Sequence, residues 1–108
     1  RVIIDVLDDP SIGGGIRHCA DMLTTYLHDH EPDRLLDYAD RLGNAAVLKR
    51  LGYLSEALNL TDEGFLAQCQ RRLSAGTSML DPSAHGDGER NARWHLRTNV
   101  RLEPSAAS

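Results

Sequence analysis

The residues best suited to binding chemistry are six cationic side chains in two parts of the sequence. Arginine and lysine form charge-assisted hydrogen bonds with carboxylates and phosphates, so a row of them indicates a surface for an acidic partner or a nucleic-acid backbone. These partner-binding candidates are Arg41, Lys49, Arg50, Arg93, Arg97 and Arg101.

Three of the six lie in a segment that alternates apolar and polar residues. The alternation in RWHLRTNVRL, residues 93–102, predicts a half-buried strand. Arginines that recur every four residues of a strand share one face and lie about 13 Å apart. Such a stripe can bind an acidic partner or phosphates. Two alternatives stay open: a solvated strand face, or pairing with the acidic helices of the same domain.

Other residue types that carry chemistry lack the spacing that a site needs. His18 and Cys19 are adjacent, so a helix directs them to different sides, and neither H-x3-H nor C-x2-C spacing occurs. The glycines at 13–15 precede a helix, but no P-loop lysine follows them. No Ser or Cys lies in a recognisable nucleophile motif. We therefore expect a protein that is not an enzyme and has no catalytic residue, metal or cofactor.

The stretch 35–58, LLDYADRLGNAAVLKRLGYLSEAL, predicts two helices broken at Gly43-Asn44, which is the outline of a DNA-binding helix-turn-helix. However, residues 1–63 contain twelve acids and six bases, whereas a DNA-binding surface usually has an excess of bases. We therefore interpret the hairpin as scaffold with a cationic edge. The alternative is a nucleic-acid-binding module that uses the basic strand face together with Lys49 and Arg50.

Apolar spacing predicts a mainly helical α+β fold with four to five helices and a small C-terminal β element. Helical stripes occupy residues 2–8, 16–27, 32–42, 45–58 and 62–73, with Gly76 expected to end the last helix. Residues 81–91 predict a loop. Ser78–Leu80 is the nearest candidate strand to pair with 93–102. Since a two-stranded sheet is marginal, we expect a third strand from outside this chain.

The 108 residues fit one domain, which we place at 1–103 with a frayed tail at 104–108. No apolar run approaches the roughly 20 residues of a membrane span, so we expect no membrane association. Two cysteines without a disulfide framework favour a reducing cytoplasm. Because the first residue is Arg1 and not Met, we expect a processed chain or, in preference, a piece of a longer protein.

Three blocks of the sequence together resemble the C-terminal domain of AbiEi-family antitoxins. They are RVIIDVLDDPSIGGGIRHCADML, LLDYADRLGNAAVLKRLGYLSEAL, and LDP followed by RWHLRTNV. The middle block is long and specific, the order of the blocks agrees with the family, and together they cover nearly the whole chain. The residues that match one by one are Arg41, Leu42, Gly43, Asn44, Lys49, Arg50, Leu51, Gly52, Tyr53, Trp94 and Asn99.

The resemblance implies a bacterial type IV toxin–antitoxin system of the kind used in phage defence. In that family the antitoxin is a transcriptional regulator whose N-terminal winged helix represses its own operon. The C-terminal domain is associated with counteracting a nucleotidyltransferase toxin. This sequence does not contain the winged helix, so we expect operator DNA to be a partner only through that absent domain. No catalytic residue transfers, and direct contact with the toxin and the oligomeric state stay open.

The matching residues also carry structural expectations. We expect Leu42, Leu51, Leu54 and Trp94 in the core. A glycine in the middle of a helix costs about 1 kcal/mol relative to alanine, so Gly52 predicts a helix or the sheet packed closely against it. Arg41, Lys49 and Arg50 are expected to be exposed.

Overall fold

The computed structural model describes residues 2–102 of the chain. In this range five helices precede a small three-stranded sheet, which confirms the predicted mainly helical α+β fold. The predicted frayed tail at 104–108 lies outside the described residues. The helices are α1 (Val2–Asp8), α2 (Ile16–Asp29), α3 (Asp33–Leu42), α4 (Ala45–Ala57) and α5 (Glu63–Arg71), and the strands are β1 (Ser78–Met79), β2 (Glu89–Asn91) and β3 (Leu96–Thr98).

Local capping residues set several helix ends where the sequence predicts them. Gly43 adopts the left-handed conformation, with φ 76°, that ends α3. The Asn44 side chain accepts a hydrogen bond from the Ala46 backbone N–H at 3.0 Å and caps α4. Asp62 accepts one from the Phe65 N–H at 2.9 Å and caps α5.

The end of α5 differs from the prediction that placed it at Gly76. The helix ends at Arg71. The backbone N–H groups of Arg72 and Leu73 donate to carbonyls three residues earlier, the tighter bonding of a closing turn. Gly76, with φ 93°, lies in the connection to β1.

Helix α4 is the centre of the fold, because it packs against α1, α3, α5 and β1. Leu51, Leu54 and Trp94 are fully buried, as predicted. The prediction that Leu42 belongs to the core is wrong: it is 44% exposed and lines an open groove between α1 and α3. None of the helices in the described range is long and apolar enough to cross a membrane.

The sheet has the order β1-β3-β2, with β1 parallel and β2 antiparallel to β3. Pairing of β1 with β3 confirms the predicted partner of the last strand. The third strand, expected from outside the chain, is instead β2, which lies wholly within 81–91, so the loop prediction is wrong at residues 89–91. The side chain of Asn91 accepts a hydrogen bond from the Trp94 N–H at 3.0 Å and closes the turn between β2 and β3.

The predicted strand at 93–102 is therefore too long, since β3 contains only Leu96–Thr98. Arg93 lies in the turn before β3, and Arg101 follows the strand. The expectation that these two arginines and Arg97 form one evenly spaced stripe on a strand is wrong.

Candidate partner-binding surface

The six cationic candidates separate into buried and exposed groups. Lys49 is 2% exposed and Arg50 is 4% exposed, so the expectation of exposed cations is wrong at both positions. Their helix, α4, is enclosed by other elements, and both side chains bind backbone groups inside the domain. Arg41 and Arg101 are exposed, and Arg97 is half-buried.

Arg50 joins three segments of the chain. Its Nη1 donates to the carbonyl oxygens of Leu7 at 2.6 Å and Asp8 at 3.1 Å. Its Nε and Nη2 donate to the Met79 carbonyl at 3.2 and 3.0 Å. The first two carbonyls belong to the last turn of α1, where the helix dipole favours a cation. Burial lowers the pKa of Arg50, and the carboxylates of Asp8 and Asp81 oppose this effect.

Lys49 has an internal role beside it. Its Nζ donates to the Gly76 carbonyl at 3.1 Å and to the Ser78 Oγ at 3.2 Å, so it fixes the connection into β1. Both acceptors are uncharged. Burial, followed by the neighbouring Arg50 charge, lowers the pKa of Lys49.

Arg93 is partly exposed but is bound to the Trp94 anchor. Trp94 Nε1 donates to Glu56 Oε1 at 2.8 Å, and the Arg93 Nε lies 2.7 Å from Glu56 Oε2. The Arg93 guanidinium lies 5.6 Å from the Trp94 ring centroid, a cation–π distance. The ring packs against Gly52, which confirms the close packing predicted there, but it belongs to the turn between β2 and β3 and not to a helix or a strand. Glu56 of α4 therefore links Arg93 to Trp94.

Asp81 is the junction that sequence reasoning missed. Its Oδ2 accepts a hydrogen bond from the Ile16 N–H at 2.9 Å and caps α2, while its Oδ1 accepts from Ser83 Oγ at 2.6 Å. Burial acts to raise the pKa of Asp81, but the hydrogen bonds from Ser83 and Ile16 outweigh it and hold the pKa below its ordinary value. Asp-Pro-Ser is a side-chain-stabilised turn pattern and was the available signal.

Asn99, one of the residues in the resemblance, holds the same turn from the other side. Its Oδ1 accepts from the Asp81 N–H at 3.1 Å, and its Nδ2 donates to the Asp81 carbonyl at 2.8 Å. The C-terminal block and the start of α2 are therefore joined through Asp81.

Arg41 lies beside an open groove between α1 and α3. The groove has a volume of about 240 Å³, and its lining is Ile4, Asp5, Tyr38, Arg41 and Leu42. Arginine and tyrosine are among the residue types that dominate the binding energy of many protein interfaces, and here they lie beside the exposed Leu42.

The outer face of the sheet carries a second cationic surface. Arg97 of β3 is directly opposite Arg90 of β2, and Met79 of β1 occupies the same row. Arg101 follows the strand, and its backbone carbonyl accepts a hydrogen bond from Arg17 Nη2 at 3.3 Å.

The cysteines and the candidate metal ligands are separate from these surfaces. Cys19 and Cys69 are buried free thiols. Burial is the main cause that raises the pKa of Cys19 to about 11 and of Cys69 to about 12. Among residues 2–102, no group of three or more His, Cys, Asp or Glu side chains could hold a metal ion.

Comparisons of the chain with protein families, with curated proteins and with solved structures find no match. The resemblance to AbiEi-family antitoxins therefore stays a prediction. Its support must come from the contacts that the matching residues make within this fold.

Proposed function

We propose that this chain is the antitoxin domain of a bacterial type IV toxin–antitoxin system and counteracts a nucleotidyltransferase toxin. The observation that carries the proposal is that the three sequence blocks of the resemblance meet in the fold. Gly52 and Trp94, which both match the family, are in contact, and the matching residues Arg50 and Asn99 bind backbone groups distant from them in sequence.

Two residues of the middle block make most of these connections. Arg50 binds carbonyls in the first block, at Leu7 and Asp8, and the Met79 carbonyl before the last block. Gly52 receives the ring of Trp94 from the last block.

The remaining connection runs from the last block back to the first. Asn99 holds the turn of Asp81, and Asp81 caps α2 at Ile16. If residues hold one another in place in a domain, a sequence pattern typical of that domain would contain all of them. This supports a shared fold with the family, from which we infer the shared function.

We assign contact with the toxin to the groove beside Arg41. Lys49 and Arg50 are buried in internal contacts, and Arg93 pairs with Glu56. These three candidates are therefore less available to a partner than Arg41. Arg41 is exposed and adjoins the exposed Leu42 and the half-buried Tyr38. An apolar centre beside a cation suits a protein partner that presents an apolar side chain next to a carboxylate.

The proposal is tested by growth rescue. The chain is co-expressed with the nucleotidyltransferase encoded beside its gene, and a toxin with substituted catalytic residues serves as the non-toxic control. We expect growth to recover when the folded chain is present. Continued growth arrest in cells that contain folded, abundant chain would contradict the proposal.

The assignment of the groove is tested separately with a charge reversal. Arg41→Glu should weaken rescue and co-purification with the toxin, because it opposes a carboxylate on the partner. Arg71→Glu changes the net charge equally at another exposed position, on α5, and should behave as the wild type. Equal behaviour of the two variants would remove the groove from the mechanism but leave the antitoxin function standing.

A further inference from the structure

We propose that the outer face of the sheet binds the phosphate backbone of a nucleic acid through Arg90 and Arg97. Arg90 lies in the strand that the sequence did not predict, so it was not among the candidates. This binding site is separate from the groove beside Arg41 and does not depend on the antitoxin function.

The first observation is the register of the two arginines. Arg90 and Arg97 are partners across the antiparallel β2–β3 pair, so both side chains project from the same face. Like charges directly opposite each other destabilise a sheet. Bound phosphates would relieve this repulsion, because each would neutralise a guanidinium group.

The second observation is that the described contacts hold these side chains without cancelling their charge. Arg90 Nε donates to Thr77 Oγ1 at 3.3 Å, and Arg97 Nη1 donates to the Gly88 carbonyl at 3.3 Å. Both acceptors are neutral. Each guanidinium has five N–H donors, so each keeps four for a ligand.

Two other arginines of the C-terminal half, Arg72 and Arg93, are in ion pairs. Within residues 2–102 the ion pairs are Arg72 with Asp40 at 3.2 Å and Arg93 with Glu56 at 2.7 Å. Neither involves the sheet pair. From Gly88 to Leu102 the sequence contains four arginines and one acid, Glu89. Strand alternation directs Glu89 to the face opposite Arg90.

The directions of the two side chains favour a run of phosphates over a single one. Arg90 crosses β3 to reach Thr77, which precedes β1, whereas Arg97 reaches toward Gly88, which precedes β2. Cationic groups therefore lie on both sides of the central strand. Guanidinium donors match phosphate oxygens, and a nucleic-acid backbone presents phosphates in series.

A protein partner fits this face less well. The core of a protein interface is depleted in charged residues overall and is centred on aromatic or arginine anchors in fully desolvated pockets. The outer row of the sheet consists of Met79, Arg97 and Arg90, so a single half-buried apolar side chain stands beside two cations.

The test measures binding of the 108-residue chain to two fluorescent probes, a single-stranded RNA and a duplex DNA of about 20 nucleotides or base pairs, across salt from about 50 to 200 mM. The double variant Arg90→Gln/Arg97→Gln should show a slope of log affinity against log salt that is shallower by about 1.4 for single strands and about 1.8 for duplex. Between about 50 and 200 mM salt, the wild type should therefore lose about tenfold more affinity than the double variant.

A matched control separates this site from net charge. Arg34→Gln/Arg71→Gln removes two exposed charges elsewhere and should keep the wild-type slope. An unchanged or raised melting temperature of the sheet variant shows that any loss of binding is not caused by unfolding, since the variant removes the repulsion between the two arginines. Tighter binding of either probe supports the proposal and identifies the nucleic acid. Three results would each overturn the proposal. They are a wild type that binds neither probe, a control variant whose salt slope falls as much as that of the sheet variant, and a wild type that binds polyglutamate as tightly as the nucleic acids.

Discussion

The ring of Trp94 lies so close to the backbone of Gly52 that a Cβ at that position would overlap the ring carbons. Trp94 is fully buried, and its Nε1 is satisfied by Glu56. The absence of a side chain in the middle of α4 therefore creates the space that joins the C-terminal turn to the helical core.

Gly52→Ala should destabilise the domain although alanine favours helix. The helix preference contributes about 1 kcal/mol of stability, but overpacking against Trp94 costs roughly 1–3 kcal/mol, so we expect a net loss in urea unfolding. Gly64→Ala on α5 is the control, because its Cβ would meet only an ordinary contact at 3.4 Å. A gain of stability at both positions would show that the Trp94 ring moves aside readily.

Arg50→Met should cost about 3 kcal/mol or more, because the carbonyls of Leu7, Asp8 and Met79 lose their donor in a buried site. For a domain of this size, each kcal/mol lowers the melting temperature by about 4–8 °C. Arg34→Met, at an exposed position, should change stability by less than about 0.5 kcal/mol. Similar melting temperatures for the two variants would contradict the internal role of Arg50.

Burial makes Lys49 and Arg50 unsuitable for charge-reversal tests of toxin contact. An acidic residue at Lys49 or Arg50 would unfold the domain, so loss of neutralisation would not report on toxin contact. Substitutions at Arg41, Arg90 and Arg97 avoid this ambiguity, because none of these side chains is buried.

Stability should fall in acid partly through Asp81. Its folded-state pKa lies below the ordinary value, so its stabilising contribution is present above the ordinary carboxyl pKa and is lost as pH falls through the lower folded value. The stability difference between wild type and Asp81→Asn should therefore shrink across this acidic range. A constant stability difference between wild type and Asp81→Asn throughout this range would argue against the prediction.

Both thiols should resist labelling in the folded protein. Burial raises the pKa of Cys19 to about 11 and of Cys69 to about 12, so the reactive thiolate is scarce at neutral pH. We expect slow reaction with an aromatic disulfide reagent under native conditions and reaction of both thiols in denaturant. Rapid native labelling of Cys69→Ser, which retains Cys19, would contradict the buried position of Cys19.

The sequence predicts features that depend on neighbouring residues better than those that depend on distant ones. Gly43 and Asn44 carry the local chemistry of a helix end and a helix start, and both predictions are confirmed. Close packing at Gly52 is predicted because a helix interior rarely tolerates glycine without a reason.

Burial of Arg50 could not be predicted in the same way. Its acceptors at Leu7 and Met79 are distant in sequence and come together only in the folded domain. Strand β2 was missed because its three residues follow a turn-rich stretch and have no apolar alternation of their own. As a result, Arg90 was absent from the cationic candidates.

The assignment of this domain as an antitoxin is tested most directly by cell growth. Cells produce the nucleotidyltransferase together with one of three chains: the wild type, Gly64→Ala or Gly52→Leu. Leucine at Gly52 overlaps the Trp94 ring further than alanine and should unfold the domain. We expect growth with the first two chains and arrest with the third. Arrest with all three, while the wild-type chain is folded in the cell, would contradict the assignment of this domain as an antitoxin.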